Sequence, residues 1–335
     1  MEEELMSFIR KMFQPKKMSC ALVLFACTLS LGVMSSCGTT NEKKIGIAWR
    51  SDLDSEFYTN IVTAIKEAGG TPYLLSQGIS TDLKYTADQK VADSCVDENG
   101  ILQVNYAQAI RAFGSSHSNA KDLIGSFKAV VFTGGEDISP SLLATPVAWH
   151  GIEKEKDYNA TRDVSDYVTM SYCVENHLKV MGFCRGMQMS GVFSGATVIQ
   201  DIPTYFTSLG LTYNYEHRNE KVGDNYRDYA PHDVSVKEDS RLYKIAGTKN
   251  LEKVPSWHHQ ALQSVANTQL KVTGTTLTDG VEMIESIERL DKTYEIGLQF
   301  HPEAALVKNL NNVANKGNYM SSDMALKFFK SLVND

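Results

Sequence analysis

The chain has no lysine- and arginine-rich run in its body and no apolar stretch long enough to cross a bilayer. It has only six cysteines in 335 residues. With a net charge of −7 and no basic patch, nucleic acid is not expected as a partner. No group of cysteines and histidines shows metal-ligand spacing. Histidines stand side by side at His258 and His259, but adjacent side chains of a strand point to opposite faces, so neither a metal nor any other cofactor is expected. What is present is ordinary globular material, 42% hydrophobic and 22% charged, enough for one large α/β domain or two small ones.

The N-terminus reads as a leader. Arg10, Lys11, Lys16 and Lys17 precede the uncharged stretch 20–34, which suits a signal-peptide core and is too short for a spanning helix. It ends in Val33-Met34-Ser35-Ser36-Cys37-Gly38, which resembles a bacterial lipoprotein processing site with Cys37 as the lipidated residue. Met34 stands where leucine is usual, and Met6, Met12 or Met18 could be the true start. An uncleaved membrane anchor is the competing reading; either way the body is exported to the periplasmic side of the envelope. The organisation expected is therefore a leader over 1–37, a polar tether over 38–43 and a single domain over 44–335.

That domain opens with a strand at 44–49, a helix at 56–68 and a strand at 71–75, with Gly69-Gly70 as the helix stop. Strand–helix–strand order predicts an α/β fold with a doubly wound, mostly parallel sheet and helices on both faces. Residues 107–113 and 121–127 read as helices and 115–119 as a loop. A helix over 162–177 leads to the central motif.

The motif is Val180-Met181-Gly182-Phe183-Cys184-Arg185-Gly186-Met187-Gln188. An apolar strand runs into a Gly-x-Cys-x-Gly turn and on into a helix, the pattern of a nucleophile elbow. Helix-terminal dipoles there favour a thiolate. A buried, inert cysteine between chance glycines is the alternative. Two further stretches bear on it. Gln299-Phe300-His301-Pro302-Glu303 places an imidazole and a carboxylate two residues apart, on one side of extended backbone, so that Glu303 can hold His301 towards Cys184. The strand at 129–132 ends in Thr133-Gly134-Gly135-Glu136-Asp137, whose bare backbone could donate N–H groups to an oxyanion.

With Trp257-His258-His259-Gln260 and Asp279-Gly280-Val281-Glu282 between them, these motifs occur in the order found in class I glutamine amidotransferase-like proteins. They resemble most the γ-glutamyl-γ-aminobutyrate hydrolase branch, cysteine peptidase family C26, over about 44–335. The resemblance implies a flavodoxin-like fold and a Cys184–His301–Glu303 triad. It also implies oxyanion donors at Gly135 and Arg185 and a glutamyl pocket bordered by Gly134, Gln188, His258, His259 and Gln260. His232 recurs near that pocket, and Arg162-Asp163 resembles a charge pair of the family. The expected activity is hydrolysis of a γ-glutamyl amide or peptide, a small-molecule substrate, through a thioester. A glutaminase subunit feeding ammonia to a synthetase and a catalytically silent γ-glutamyl-binding protein are the alternatives. With Cys37 and Cys184 assigned, only Cys95 and Cys173 could form a disulfide, and Cys173 serves equally as a core residue. The segments 77–127 and 204–230, the latter with five tyrosines, are expected to shape the leaving-group side.

Overall fold

The computed structural model describes residues 42–146, 149, 151–220, 227–291, 294–311 and 316–334. The leader and Cys37 lie outside them. The first unit is β1 (Lys44–Ile47), α1 (Glu56–Glu67) and β2 (Thr71–Leu74). The Ser55 hydroxyl caps α1 by accepting from Phe57 N–H, and Ile61, Ala64 and Ile65 form its buried stripe. Then come α2 (Val104–Phe113), α3 (Ala120–Ile124), β3 (Ala129–Phe132), α4 (Ala160–Glu175), β4 (Lys179–Phe183) and α5 (Arg185–Ser194). The next elements are β5 (Thr197–Ile199), α6 (Ile202–Ser208), β6 (Ala230–Val236), α7 (Arg241–Ala246), β7 (Asn250–Ser256) and β8 (Ala261–Ser264). The chain closes with β9 (Leu270–Thr278), β10 (Val281–Arg289), β11 (Glu295–Leu298), α8 (Pro302–Leu310) and α9 (Ser322–Asn334).

One nine-stranded sheet, ordered β2-β1-β3-β4-β11-β10-β9-β6-β7, organises these elements. Its first five strands are parallel, and the remaining four extend it antiparallel. The parallel strands read as apolar runs because both faces are covered. Ala129 and Val131 of β3 pack with Met181 and Phe183 of β4 against α1, α8 and α9. Val130, Phe132 and Val180 pack on the other face against α2 and α4.

Three details differ from the sequence reading. Gly114–His117 closes as a 3-10 turn where a loop was expected, and the tyrosine-rich segment begins inside α6. Pro302 is the first residue of α8, so His301-Pro302-Glu303 is a strand-to-helix junction rather than extended backbone. Proline suits that position because the first helical N–H has no intrahelical acceptor to lose.

Candidate active site

Three adjacent parallel strands deliver the site at their carboxyl ends. Gly134 and Gly135 follow β3, Cys184 follows β4, and His301 lies shortly beyond β11. The registers Phe132↔Gly182 and Phe183↔Leu298 bring those ends level. Cys184 caps α5 with φ 49° and ψ −106°, a conformation L-residues rarely adopt. The flanking glycines permit it. A Cβ on Gly182 would lie 2.5 Å from the Gly186 carbonyl carbon, and one on Gly186 would lie 2.3 Å from the Phe132 oxygen.

Cys184 is 5% exposed, and His301 and Glu303 are buried. The Nδ1 of His301 lies 2.6 Å from Glu303 Oε1, while its Nε2 has no hydrogen-bond partner among the described residues. Burial opposes charge on this ring, but the Glu303 carboxylate and the Cys184 sulphur outweigh it and raise His301 to about 10. Gly134 lies directly beneath the ring, where a Cβ would come 2.8 Å from His301 Cε1.

The glycine turn is braced from behind. Arg162 donates to the carbonyls of Thr133 and Gly134 and to Glu136, and Arg50 donates to the Gly134 carbonyl as well. Because the peptide is trans, a Gly134 carbonyl tied to these guanidiniums turns the Gly135 N–H the opposite way. Gly135 has φ +141°, and a Cβ there would stand 2.0 Å from Arg162 Nη1. The Arg185 side chain points away from the cleft, into a buried pair with Asp163 and Asp166 of α4. Its main-chain N–H opens α5 and has no intrahelical acceptor. Arg162 and Asp163, expected as a pair, therefore serve different partners: Arg162 the glycine turn, and Asp163 the elbow helix.

A cavity of about 320 Å³ opens onto Cys184 and is lined also by Gly135, Gln188, Trp257, His258, His259 and Gln260, with Glu136, Asp137, Asp157 and Arg218. Gln188 Nε2 donates to the Gln260 carbonyl and to Gln299 Oε1. His259 is clamped between Asp137 at 3.0 Å and Asp201 at 3.2 Å. Burial works against its charge, but the two carboxylates win and its pKa is raised. An adjoining cavity of about 450 Å³ shares Arg218, His258 and His259 and reaches Tyr213 and Tyr215 of the tyrosine-rich segment. From segment 77–127, Asp97, Asn99 and Ile101–Val104 line another groove with Pro140, Ser141 and Trp149. Cys95 and Cys173 are both free and buried, and burial pushes the Cys173 thiol far above its ordinary range.

Sequence reasoning did not single out Arg50, Asp137, Asp201, Arg218, His217 or Glu285 as site residues. Asp137 stood within a quoted motif, but nothing in spacing marked the others. His258 and His259 do diverge, yet not as strand neighbours, for both follow the end of β7. His258 faces His217, His232 and Glu285, a cluster absent from any local pattern because its members are distant in sequence.

Fold and site together define an α/β protein with an elbow cysteine, a carboxylate-bound imidazole and a glycine turn at the carboxyl edge of a parallel sheet. The chain belongs to the Peptidase C26 family, whose model matches residues 77–303. It is 32% identical over 190 residues to Protein NtpR of Enterococcus hirae, covering 56% of this chain and 72% of that protein. It is 25% identical over 150 residues to gamma-glutamyl-gamma-aminobutyrate hydrolase PuuD of Escherichia coli K12, covering 44% of this chain and 55% of that one. Among solved structures, a glutamine amidotransferase from Thermotoga maritima aligns over 87% of this chain and 98% of its own at 13% identity, with a TM-score of 0.45.

Proposed function

We propose that this protein hydrolyses γ-glutamyl amide or γ-glutamyl peptide bonds, with Cys184 as nucleophile. The observation that carries the reading is the buried His301–Glu303 pair beside an elbow cysteine of positive φ that opens into a cavity. A raised His301 pKa favours an imidazolium beside the Cys184 sulphur. The thiolate attacks the side-chain carbonyl of the glutamyl group, and the tetrahedral oxyanion accepts from Gly135 and Arg185 N–H. His301 then protonates the leaving amine as the C–N bond breaks, and takes a proton from the water that hydrolyses the thioester to release glutamate.

Gln188, His259 and Gln260, being tied to one another or to carboxylates, shape the glutamyl pocket. Arg218, which lines the cavity and donates to Glu155, is the side chain we assign to a substrate carboxylate. The substrate class is supported by the C26 family and by the similarity to a γ-glutamyl-γ-aminobutyrate hydrolase. From the leader sequence we also infer export and lipid attachment at Cys37. Among the described residues no helix is long and apolar enough to cross a membrane.

The test is glutamate release by the full-length chain from a panel of γ-glutamyl amides, with glutamine included and Cys184→Ala as control. Release from γ-glutamyl compounds well above glutamine, absent in the control, is the expected result. Release from glutamine alone would replace this reading with the glutaminase one. Binding without release by the folded wild-type protein would replace it with the silent binder.

A further inference from the structure

His217, His232, His258 and Glu285 come from four separate places: the segment after α6, strand β6, the turn after β7, and strand β10. One ligand atom from each lies within 4.8 Å of all the others, and all four side chains are buried. Glu285 Oε1 is 3.1 Å from His217 Nδ1 and 3.8 Å from His258 Nε2, and its Oε2 is 3.7 Å from His232 Nε2. These separations scatter about the ~3.3 Å edge of a tetrahedron whose metal–ligand bonds are ~2.0–2.1 Å.

Close as they are, these atoms do not satisfy one another. His217 Nδ1, His258 Nε2 and both Glu285 oxygens have no hydrogen-bond partner among the described residues. Buried polar groups are rarely left so, and four in one place ask for a common partner. The outer atoms, by contrast, are satisfied. The Nδ1 of His258 bonds the Gln260 carbonyl at 2.8 Å, the Nε2 of His217 bonds Thr278 Oγ1 at 2.8 Å, and the Nδ1 of His232 lies 3.3 Å from the Asp233 carbonyl. Bonds of this kind fix a ring so that its other nitrogen presents a lone pair to an ion. Only His232 Nε2 has an inner competitor, Ser256 Oγ at 2.7 Å, which an ion would displace.

The backbone adds a separate observation. The β9–β10 register shifts between Ile284 and Ser286, leaving Glu285 as the unpaired residue of a β-bulge. A bulge re-aims a side chain, and this one sends a carboxylate into a chamber of histidines.

We propose that His217, His232, His258 and Glu285 form a closed structural site for one divalent transition-metal ion of the zinc class. Three imidazoles and a carboxylate suit such an ion, and four protein ligands leave no open position for substrate. The ion ties β6 and β10 to the segment carrying Tyr213 and Tyr215. It also fixes His258, and through it the Gln260 carbonyl that Gln188 uses, on the wall of the Cys184 cavity.

The test uses the full-length chain, purified in detergent without chelator, with metal per chain measured by mass spectrometry and Tm by thermal unfolding. One ion per chain is expected. Removing it with a strong chelator should lower Tm, and Zn²⁺ alone should restore it. Glu285→Gln should lose the ion and the Zn²⁺-dependent rise in Tm. Thr278→Val, which leaves all four ligands in place, should weaken Zn²⁺ binding by about 10- to 100-fold. A wild-type chain that is metal-free as purified and neither binds Zn²⁺ nor gains Tm from it would overturn the proposal. So would full metal retention in a folded Glu285→Gln variant. If that variant does not fold, the wild-type removal and restoration decides alone. No substrate enters these measurements, so they stand or fall apart from the hydrolase reading.

Discussion

Glu303→Gln isolates charge from geometry in the His301 pair. The amide has the shape of the carboxylate, and its oxygen can still accept from Nδ1, but the negative charge is gone. A hydrogen bond to a charged group is worth about 1.5–3 kcal/mol, and one pKa unit corresponds to about 1.4 kcal/mol, so His301 should drop by about one to two units. The wild-type ring is raised from an ordinary 6.5 to about 10. A raised histidine contributes stability that is complete below the ordinary value and is lost as pH climbs through the raised one. The variant should therefore lose that contribution about one to two pH units earlier. The alkaline limb of its turnover profile, where the protonated ring that serves the leaving amine disappears, should move down by the same amount. Near neutral pH the weakened ion pair should cost about 10- to 100-fold in turnover. The assays are glutamate release and thermal unfolding, each followed from neutral to strongly alkaline pH in both proteins. An alkaline limb that stays near the wild-type position in Glu303→Gln would show that the carboxylate charge does not set the state of His301.

Three further outcomes are expected. Asp166→Ala strips a partner from the buried Arg185 guanidinium and should cost about 3–5 kcal/mol in urea unfolding, whereas a loss under about 1 kcal/mol would mean that water or Asp163 compensates. Gly135→Ala sets a Cβ against Arg162 at a φ of +141° and should lower turnover by about 10²–10³-fold if the N–H is an oxyanion donor; unchanged turnover in a folded variant would remove Gly135 from that role. Cys37→Ser should shift the chain from the membrane to the soluble fraction of the envelope and abolish incorporation of labelled fatty acid, and continued incorporation would place the lipid elsewhere.

The sequence alone carries the chemistry that is local. The Gly-x-Cys-x-Gly elbow is legible because a strand, a positive-φ residue and a helix start lie within a few positions, and glycine is the only residue whose absence of Cβ clears Phe132 and the elbow helix. His301 and Glu303 are legible for the same reason, two residues apart, although the structure joins them through a helix start at Pro302 instead of a strand. The parallel half of the sheet is equally readable from apolar runs alternating with helices.

What only the tertiary structure decides is everything assembled from afar. Arg50 and Arg162 converge on one carbonyl across more than eighty positions of chain in the first case and fewer than thirty in the second; Arg50 carries no mark in its own neighbourhood, and the Arg162-Asp163 pair is legible as a pair but not as a brace for the glycine turn. Glu285 looks like one more residue of a strand until a bulge turns it inward beside three histidines drawn from other elements. Local patterns report local backbone, since propensity and spacing act over a turn or a strand. Partnerships between buried charges are fixed by how the sheet and its helices bring remote segments together, and burial then makes each partnership strong enough to matter.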